Sequence, residues 1–384
     1  MKKFLQFLFR KPIAWLAEKL SSSPREPLVF STLSQLLEDV QKKNSKRGVT
    51  RAFDFMKDRY IIFSDEHKGT RDDADDFREA ENDYLAALEY YYEQGFHFIN
   101  LGDCEELWKY QPDQVIKKNQ LCLEAEKKFF LDSRYYRIFG NHDIEWNYML
   151  QRNLYLRPAF GKNLKVYEGL LLKTTFKGES FSFFFAHGHQ GDQRNNGNRF
   201  SIWVVANIWT PIQRYFHVSI NTPATSFELT DRHNIMMHEW SATQRNLIFI
   251  SGHTHKPVFA SMDHVERLTK KLDAARLKQD GARVQQIEKE LEKRKIEYAG
   301  KKQVQTLVVP TYFNSGCCCY DDGDITGIEI ADGHIRLIKW HSVDQGSLRV
   351  VLEEANLEDV FDEINPRPQA PLPPKGGDSP NQDL

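Results

Sequence analysis

Aspartate, asparagine and histidine recur in this chain directly behind short apolar runs. Asp65 and His67 follow Tyr60-Ile61-Ile62-Phe63, and Asp103 follows Phe98-Ile99-Asn100-Leu101. Gly140-Asn141-His142-Asp143 follows Tyr136-Arg137-Ile138-Phe139, and His187 follows Phe183-Phe184-Phe185-Ala186. Gly252-His253-Thr254-His255 comes last, behind Leu247-Ile248-Phe249-Ile250. Short apolar runs that end in polar residues read as buried strands whose C-terminal ends carry chemistry. Oxygen and nitrogen donors at such ends suit a divalent-metal site. A lone aspartate after a strand would be a helix cap, and a lone buried histidine a hydrogen-bonded core residue. Neither explanation predicts the same placement in five separate blocks.

The elements that position these residues alternate at first. A helix over 75–94 separates Asp65 from Asp103, and a second over 114–131 separates Asp103 from Asn141. That pattern predicts an α/β sheet built from crossover units. Beyond 163 the chain becomes strand-rich, with strands expected at 181–186, 247–250, 306–309, 325–330 and 335–340. The catalytic domain is expected over 51–345. Before it lies an N-terminal amphipathic helical extension, 1–50, with a helix over 31–43.

Two insertions interrupt the domain. The first, 198–240, is rich in aromatic residues and should cap the site. It either lines an apolar pocket, touches a membrane, or lies buried against the sheet. The second, 262–303, is dense in charge. Val265, Leu268, Leu272 and Ala275, then Val284, Ile287 and Leu291, fall at helical spacing on either side of Asp280-Gly281. An antiparallel helical hairpin is expected there, with solvated outer faces or a role in a homodimer. The proline-rich tail, 366–384, reads as disordered.

Composition narrows the function classes. The 384 residues are 40% hydrophobic and 28% charged, enough for a sizeable core. A net charge of −2 argues against broad binding to nucleic acid. Cys104, Cys122 and the run Cys317-Cys318-Cys319 show no paired C-x-x-C spacing, and read as reduced thiols of a cytoplasmic protein. No stretch matches a membrane span. Lys2, Lys3, Arg10, Lys11 and Lys19, interleaved with apolar residues, predict a basic amphipathic helix over 1–20. It either makes a peripheral membrane contact or packs on the domain itself.

The blocks Asp65-Glu66-His67, Gly102-Asp103, Gly140-Asn141-His142-Asp143, His187-Gly188-His189 and Gly252-His253-Thr254-His255 resemble, in order, those of the calcineurin-like metallophosphoesterases. The resemblance spans about 57–345 and implies two packed β-sheets flanked by helices, a four-layer sandwich with helical insertions. It implies two divalent metal ions, manganese foremost, with iron, zinc or magnesium as alternatives. Asp103 would bridge them, with Asp65, His67 and His255 on one and Asn141, His187 and His253 on the other. A hydroxide shared by the metals would attack phosphorus, and His142 would protonate the leaving group. Asp143 would orient His142. His189 is placed beside the substrate, because His187 immediately follows the strand. Lys68 and Arg194 are candidate phosphate contacts, being cationic and close in sequence to ligands.

Gly102-Asp103-Cys104-Glu105-Glu106-Leu107-Trp108 and His255-Lys256-Pro257 further resemble the UDP-2,3-diacylglucosamine pyrophosphohydrolases. His142 and His187-Gly188-His189 depart from that subgroup's pattern. The expected activity is cleavage of a phosphate ester or pyrophosphate bond in a phosphorylated small molecule or lipid-linked substrate. A protein serine/threonine phosphatase and a non-catalytic scaffold on the same fold are the alternatives.

Overall fold

All four residues of strand β2 (Tyr60–Phe63) are buried, and they serve two different cores. Tyr60 and Ile62 face the space between two sheets, whereas Ile61 and Phe63 face a helical layer. The same alternation splits β7 (Glu179–Ala186), with Phe183 and Phe185 inward and Phe184 and Ala186 outward. In β8 (Leu247–Ser251), Ile248 and Ile250 point inward and Phe249 outward. Strands covered on both faces read as continuous apolar runs because side chains alternate with a period of two.

The computed structural model describes residues 24–42, 44–191, 227–261, 309–344 and 346–365, with isolated positions between 272 and 288. With strands numbered along the chain from β1 (Gly48–Ala52) to β12 (Gly346–Asn356), one sheet has the order β12-β11-β10-β2-β3-β4-β5 and the other β1-β6-β7-β8-β9. In the first, β2, β3 (His97–Leu101), β4 (Tyr135–Ile138) and β5 (Val166–Tyr167) run parallel. Antiparallel β10 (Ile325–Ala331) and β11 (His334–Val343) extend it. In the second, β7, β8 and β9 (Tyr312–Asn314) are parallel, and β6 (Gly169–Phe176) lies antiparallel to β7.

Helix α1 (Glu26–Gln41) covers the smaller sheet with Val29, Leu33, Leu36 and Val40. Helix α2 (Glu81–Glu93) covers the larger one with Tyr84, Leu88 and Tyr91. Helix, sheet, sheet and helix make the expected four-layer α/β sandwich. Because β2, β3, β4, β7 and β8 all end at one edge, their following loops meet there.

The elements differ from the sequence expectations in places with identifiable causes. Helix α2 starts at Glu81 rather than near 75, because the Asp75 carboxylate accepts the amides of Gly69, Arg71 and Phe77 and holds a turn instead. The expected 114–131 helix is two, α3 (Pro112–Lys118) and α4 (Gln120–Leu131). Between them the Asn119 side chain donates to Gly69 O and Val115 O at 2.8 Å each. The last strand of the smaller sheet is Tyr312–Asn314, and 306–308 of the expected strand lie outside the described residues.

The domain also exceeds 51–345 at both ends. At the N-terminal end, α1 packs on the sheet, and β1 (Gly48–Ala52) pairs with β6. At the C-terminal end, β12 (Gly346–Asn356) pairs with β11, and α5 (Leu357–Ile364) follows, capped by Asn356 accepting from the Glu358 amide. Phe361 from α5 meets Phe55, Phe176 and Phe181 in the inter-sheet core.

Of the insertions, helix α6 (Phe227–Ala242) buries Met236, Met237 and Trp240 on the smaller sheet. The rest of the aromatic insertion, 198–226, lies outside the described residues. In the charged insertion Leu272 and Ile287 are buried together with Val284 against them. Residues 1–20 and the tail 366–384 also lie outside the described residues. No helix among the described residues is long and apolar enough to cross a membrane.

Replacing Phe361 by alanine should lower unfolding free energy by about 3–5 kcal/mol. An unchanged denaturant midpoint would place 346–364 outside the cooperative unit.

Candidate metal centre

The loops after the strands bend sharply and place their ligand side chains with left-handed backbone. Asp65, His67, Asp103, His253 and His255 have φ of 54°, 51°, 53°, 70° and 55°. For residues with a Cβ this conformation costs free energy and persists only where surroundings enforce it. The enforcement is visible. Asp65 N donates to Gly102 O, and His67 N to Asp103 O, both at 2.9 Å, and Gly252 N donates to His187 O at 2.9 Å. The loops also touch through glycine. A methyl group on Gly140 would overlap the Asp103 carboxylate, and one on Gly252 the Asp65 carboxylate.

The side chains so placed converge. His67 Nε2 and His255 Nε2 lie 3.1 Å apart. Asp65 Oδ1 is 3.3 Å from His255 Nε2 and 3.9 Å from both His67 Nε2 and His187 Nε2. Asp103 Oδ2 is 3.1 Å from His187 Nε2 and 3.7 Å from His67 Nε2. Asp103 therefore belongs to two donor clusters, one with His67 and His142, the other with His187 and His253. His187 Nδ1 lies 2.9 Å from Leu101 O; a proton donated there leaves the Nε2 lone pair facing Asp103. His189 is buried with its ring centroid 5.4 Å from that of His187, and it belongs to neither Asp103 cluster.

His142 stands at the rim, with its side chain 19% exposed. Its Nδ1 is 2.9 Å from Glu106 Oε1, and Trp108 stacks on its ring at 4.0 Å between centroids. The other Glu106 oxygen is 3.3 Å from His67 Nδ1. Glu106 thus holds a histidine of the metal cluster and the rim histidine at once. Its one mark in the sequence is a spacing of three from Asp103.

Two expected roles fail. Asp143 does not orient His142, because its carboxylate accepts from Gly140 N at 2.6 Å and Cys104 N at 3.0 Å and so ties two loops together. Lys68 is no phosphate contact. It is fully buried and pairs with Glu126 Oε1 at 2.7 Å, because its side chain turns inward from the loop. Arg194 lies outside the described residues.

A model of the calcineurin-like phosphoesterase family matches residues 58–257, more than half of the chain. The chain belongs to the calcineurin-like phosphoesterases. This phosphoesterase is accordingly a metal-dependent hydrolase of phosphoric esters. Among curated proteins none matches it. Of solved structures, a dimetal phosphatase from Danio rerio shares 8% identity over 77% of this chain and 99% of its own, with TM-score 0.35. Vacuolar protein sorting 29 from Cryptosporidium parvum shares 10% identity over 78% and 98%, with TM-score 0.28. A single mutant of the Entamoeba histolytica protein shares 13% over the same shares, also with TM-score 0.28.

The residues of the phosphoesterase suit divalent cations. Asn141 Oδ1 and His253 Nε2 are buried without hydrogen-bond partners, a cost that a cation would remove. The electrostatics agree. Burial raises the Asp103 pKa, yet His187 and His142 overcome it and hold the carboxyl well below its usual range. Burial lowers His187, but Asp103 and Asp65 push it up to about 9. Burial and the neighbouring His187 push His189 down to about 3.

Lys68→Met should cost about 3–5 kcal/mol of stability by removing the closest cation from buried Glu126, to which only Arg137 at 3.6 Å and two tyrosine hydroxyls remain. KM for a phosphate ester should be unchanged in the folded fraction. A raised KM with wild-type stability would restore the phosphate contact.

Proposed function

We propose that this phosphoesterase cleaves a phosphate ester or pyrophosphate bond with the help of two divalent ions, both of which Asp103 would help to hold. Asp65, His67 and His255 would hold one ion, and Asn141, His187 and His253 the other. Bound there, the ions would lower the pKa of water and neutralise phosphoryl charge. The observation that carries this reading is the membership of Asp103 in two donor clusters.

His142 is the general acid. It shares a cluster with Asp103, is the most exposed member of that cluster, and its Nδ1 is taken by Glu106. Nε2 is then the atom that carries a proton to the leaving-group oxygen. Burial lowers the His142 pKa, but Glu106 and Asp103 raise it above its usual value. The Trp108 stack keeps the ring from turning.

For substrate we propose a lipid-linked or nucleotide phosphoanhydride or ester. The stretch from Gly102 to Trp108 and the Lys256-Pro257 ending support a relation to the UDP-2,3-diacylglucosamine pyrophosphohydrolases. The histidine at 142, where that subgroup has arginine, favours a leaving group that needs a proton.

Chelator-stripped protein with para-nitrophenyl phosphate, its diester and a nucleotide-sugar panel should turn over only after manganese is added. Turnover that persists without any metal would contradict the proposal. His142→Ala should lose roughly 10²–10⁴-fold in kcat on a poor leaving group, and an unchanged rate would remove its role as acid. Glu106→Gln removes an anion that favours protonated His142, so the alkaline limb of kcat/KM should move to lower pH. A limb that stays or rises would separate Glu106 from the acid.

A further inference from the structure

Helix α6 buries two kinds of side chain. Met236, Met237 and Trp240 pack on the smaller sheet, whereas His233, Asn234, His238 and Ser241 are buried polar residues. Buried polar side chains persist where they are hydrogen-bonded. His238 Nδ1 is 2.8 Å from Ser261 Oγ, and Ser241 Oγ is 2.8 Å from Thr311 Oγ1. One turn earlier the partners are the ligand loops. Asn234 Oδ1 accepts from Thr254 Oγ1, between His253 and His255, at 3.1 Å. His233 Nε2 is 2.7 Å from Gly188 O, between His187 and His189. A carbonyl oxygen only accepts, so this bond needs a proton on His233 Nε2. Gly188 has φ of 114°, and a methyl group there would stand 3.3 Å from His253 Cβ. The His233 ring lies 5.1 Å between centroids from His253, which is 5.2 Å from His187.

We propose that His233 is a positioning residue for the ion assigned to Asn141, His187 and His253. Its Nε2–H holds Gly188 O, so the loops bearing His187 and His253 keep one spacing. The inference rests on the two-metal reading of the site and adds to it a residue from outside the five ligand blocks. A donor that fixes the carbonyl next to a ligand orients that ligand, as outer partners of metal sites do. On the other ion, His67 has Glu106 beside its Nδ1 at 3.3 Å. Each half of the centre then has its own outer support, a carboxylate for one and an imidazole for the other. Through α6, the insertion expected to cap the site contacts the ligand loops themselves.

Manganese titrated into the full-length, chelator-stripped chain and followed by calorimetry tests the assignment without any assay of turnover. The wild type should bind about two ions per chain with separable affinities. His233→Phe keeps a ring and loses the donor, so one affinity should fall about 10–100-fold and the other stay within about threefold. His233→Gln, whose amide can donate to Gly188 O, should restore the lost affinity. His238→Ala loosens the same helix away from the ligand loops and should leave both affinities within about threefold. Equal weakening of both ions in His233→Phe, wild-type affinities in it, or no rescue by glutamine overturns the positioning role. So does a matching loss of one ion in His238→Ala. The protonation of His233, read from nitrogen-15 shifts of the wild-type chain, needs no variant to fold. A bare Nε2 overturns the hydrogen bond, and a proton there supports it. A wild-type chain that binds a single ion or none overturns the two-metal reading itself, and the state of Nε2 still decides the bond.

Discussion

Two carboxylates sealed from water, Asp65 and Asp103, set the terms for the rest of this structure. A buried anion is tolerated only beside a compensating charge or a full set of donors. Here the compensation comes from histidines delivered by loops of both sheets. Asp103 and Asp65 push the His187 pKa up to about 9, whereas burial and the neighbouring histidines hold His253 well below its ordinary value. A divalent cation would displace the proton of His187 and take over the neutralisation, so metal affinity and pH are linked at this site. The close loop contacts follow from the same requirement. Left-handed ligands and touching glycines bring several chain segments around one small volume of negative charge.

Beneath the ligands lies a second layer of buried charge. Lys68 pairs with Glu126, and Arg137 with Glu105, which also accepts the Trp146 indole proton at 2.8 Å. Tyr84 and Tyr135 donate to Glu126 at 3.1 Å and 2.8 Å. These residues alternate along the chain with the metal-facing ones. His67 faces the centre and Lys68 the interior; Asp103 faces the centre and Glu105 the interior. The interior partners fix the register of the ligand loops. Arg137 also lies 3.6 Å from Glu126, so the four charges form one buried network that loss of any member leaves unbalanced, a constraint on geometry more than a source of net stability.

How much of this was legible in the sequence depended on where each residue's partners lie. Buried strands and the ligands behind them were readable, because burial on two faces writes a continuous apolar run and chemistry restricts the residue types that follow. Strand β12 escaped because one edge of the sheet is half exposed, and Gly346–Asn356 has no clean alternation. Helix boundaries at Asp75 and Asn119 moved because polar side chains captured backbone groups over distances that no periodicity records. Lys68 and Asp143 were assigned by proximity in sequence to ligands. Their side chains point the other way, and only the loop conformation decides that. Glu106 was overlooked for the opposite reason: its partners, His67 and His142, are 39 and 36 residues away in sequence.

Glu106 also joins the two halves of the reaction machinery mechanically. His142 Nδ1 at the rim lies 2.9 Å and 3.0 Å from its two oxygens, His67 Nδ1 in the metal cluster 3.3 Å from one of them, and Lys109 Nζ 3.5 Å from the same carboxylate. Burial raises the Glu106 pKa, yet His142 and Lys109 bring it well below the usual carboxylate value, so the group stays ionised. An ionised carboxylate shared in this way cannot move towards one histidine without loosening the other. The distance between the metal cluster and the proton donor is therefore set by one side chain, and the acid is positioned before a substrate arrives. Proton transfer to the leaving group then requires little rearrangement of the protein, which is where a rigid sandwich of two sheets serves catalysis.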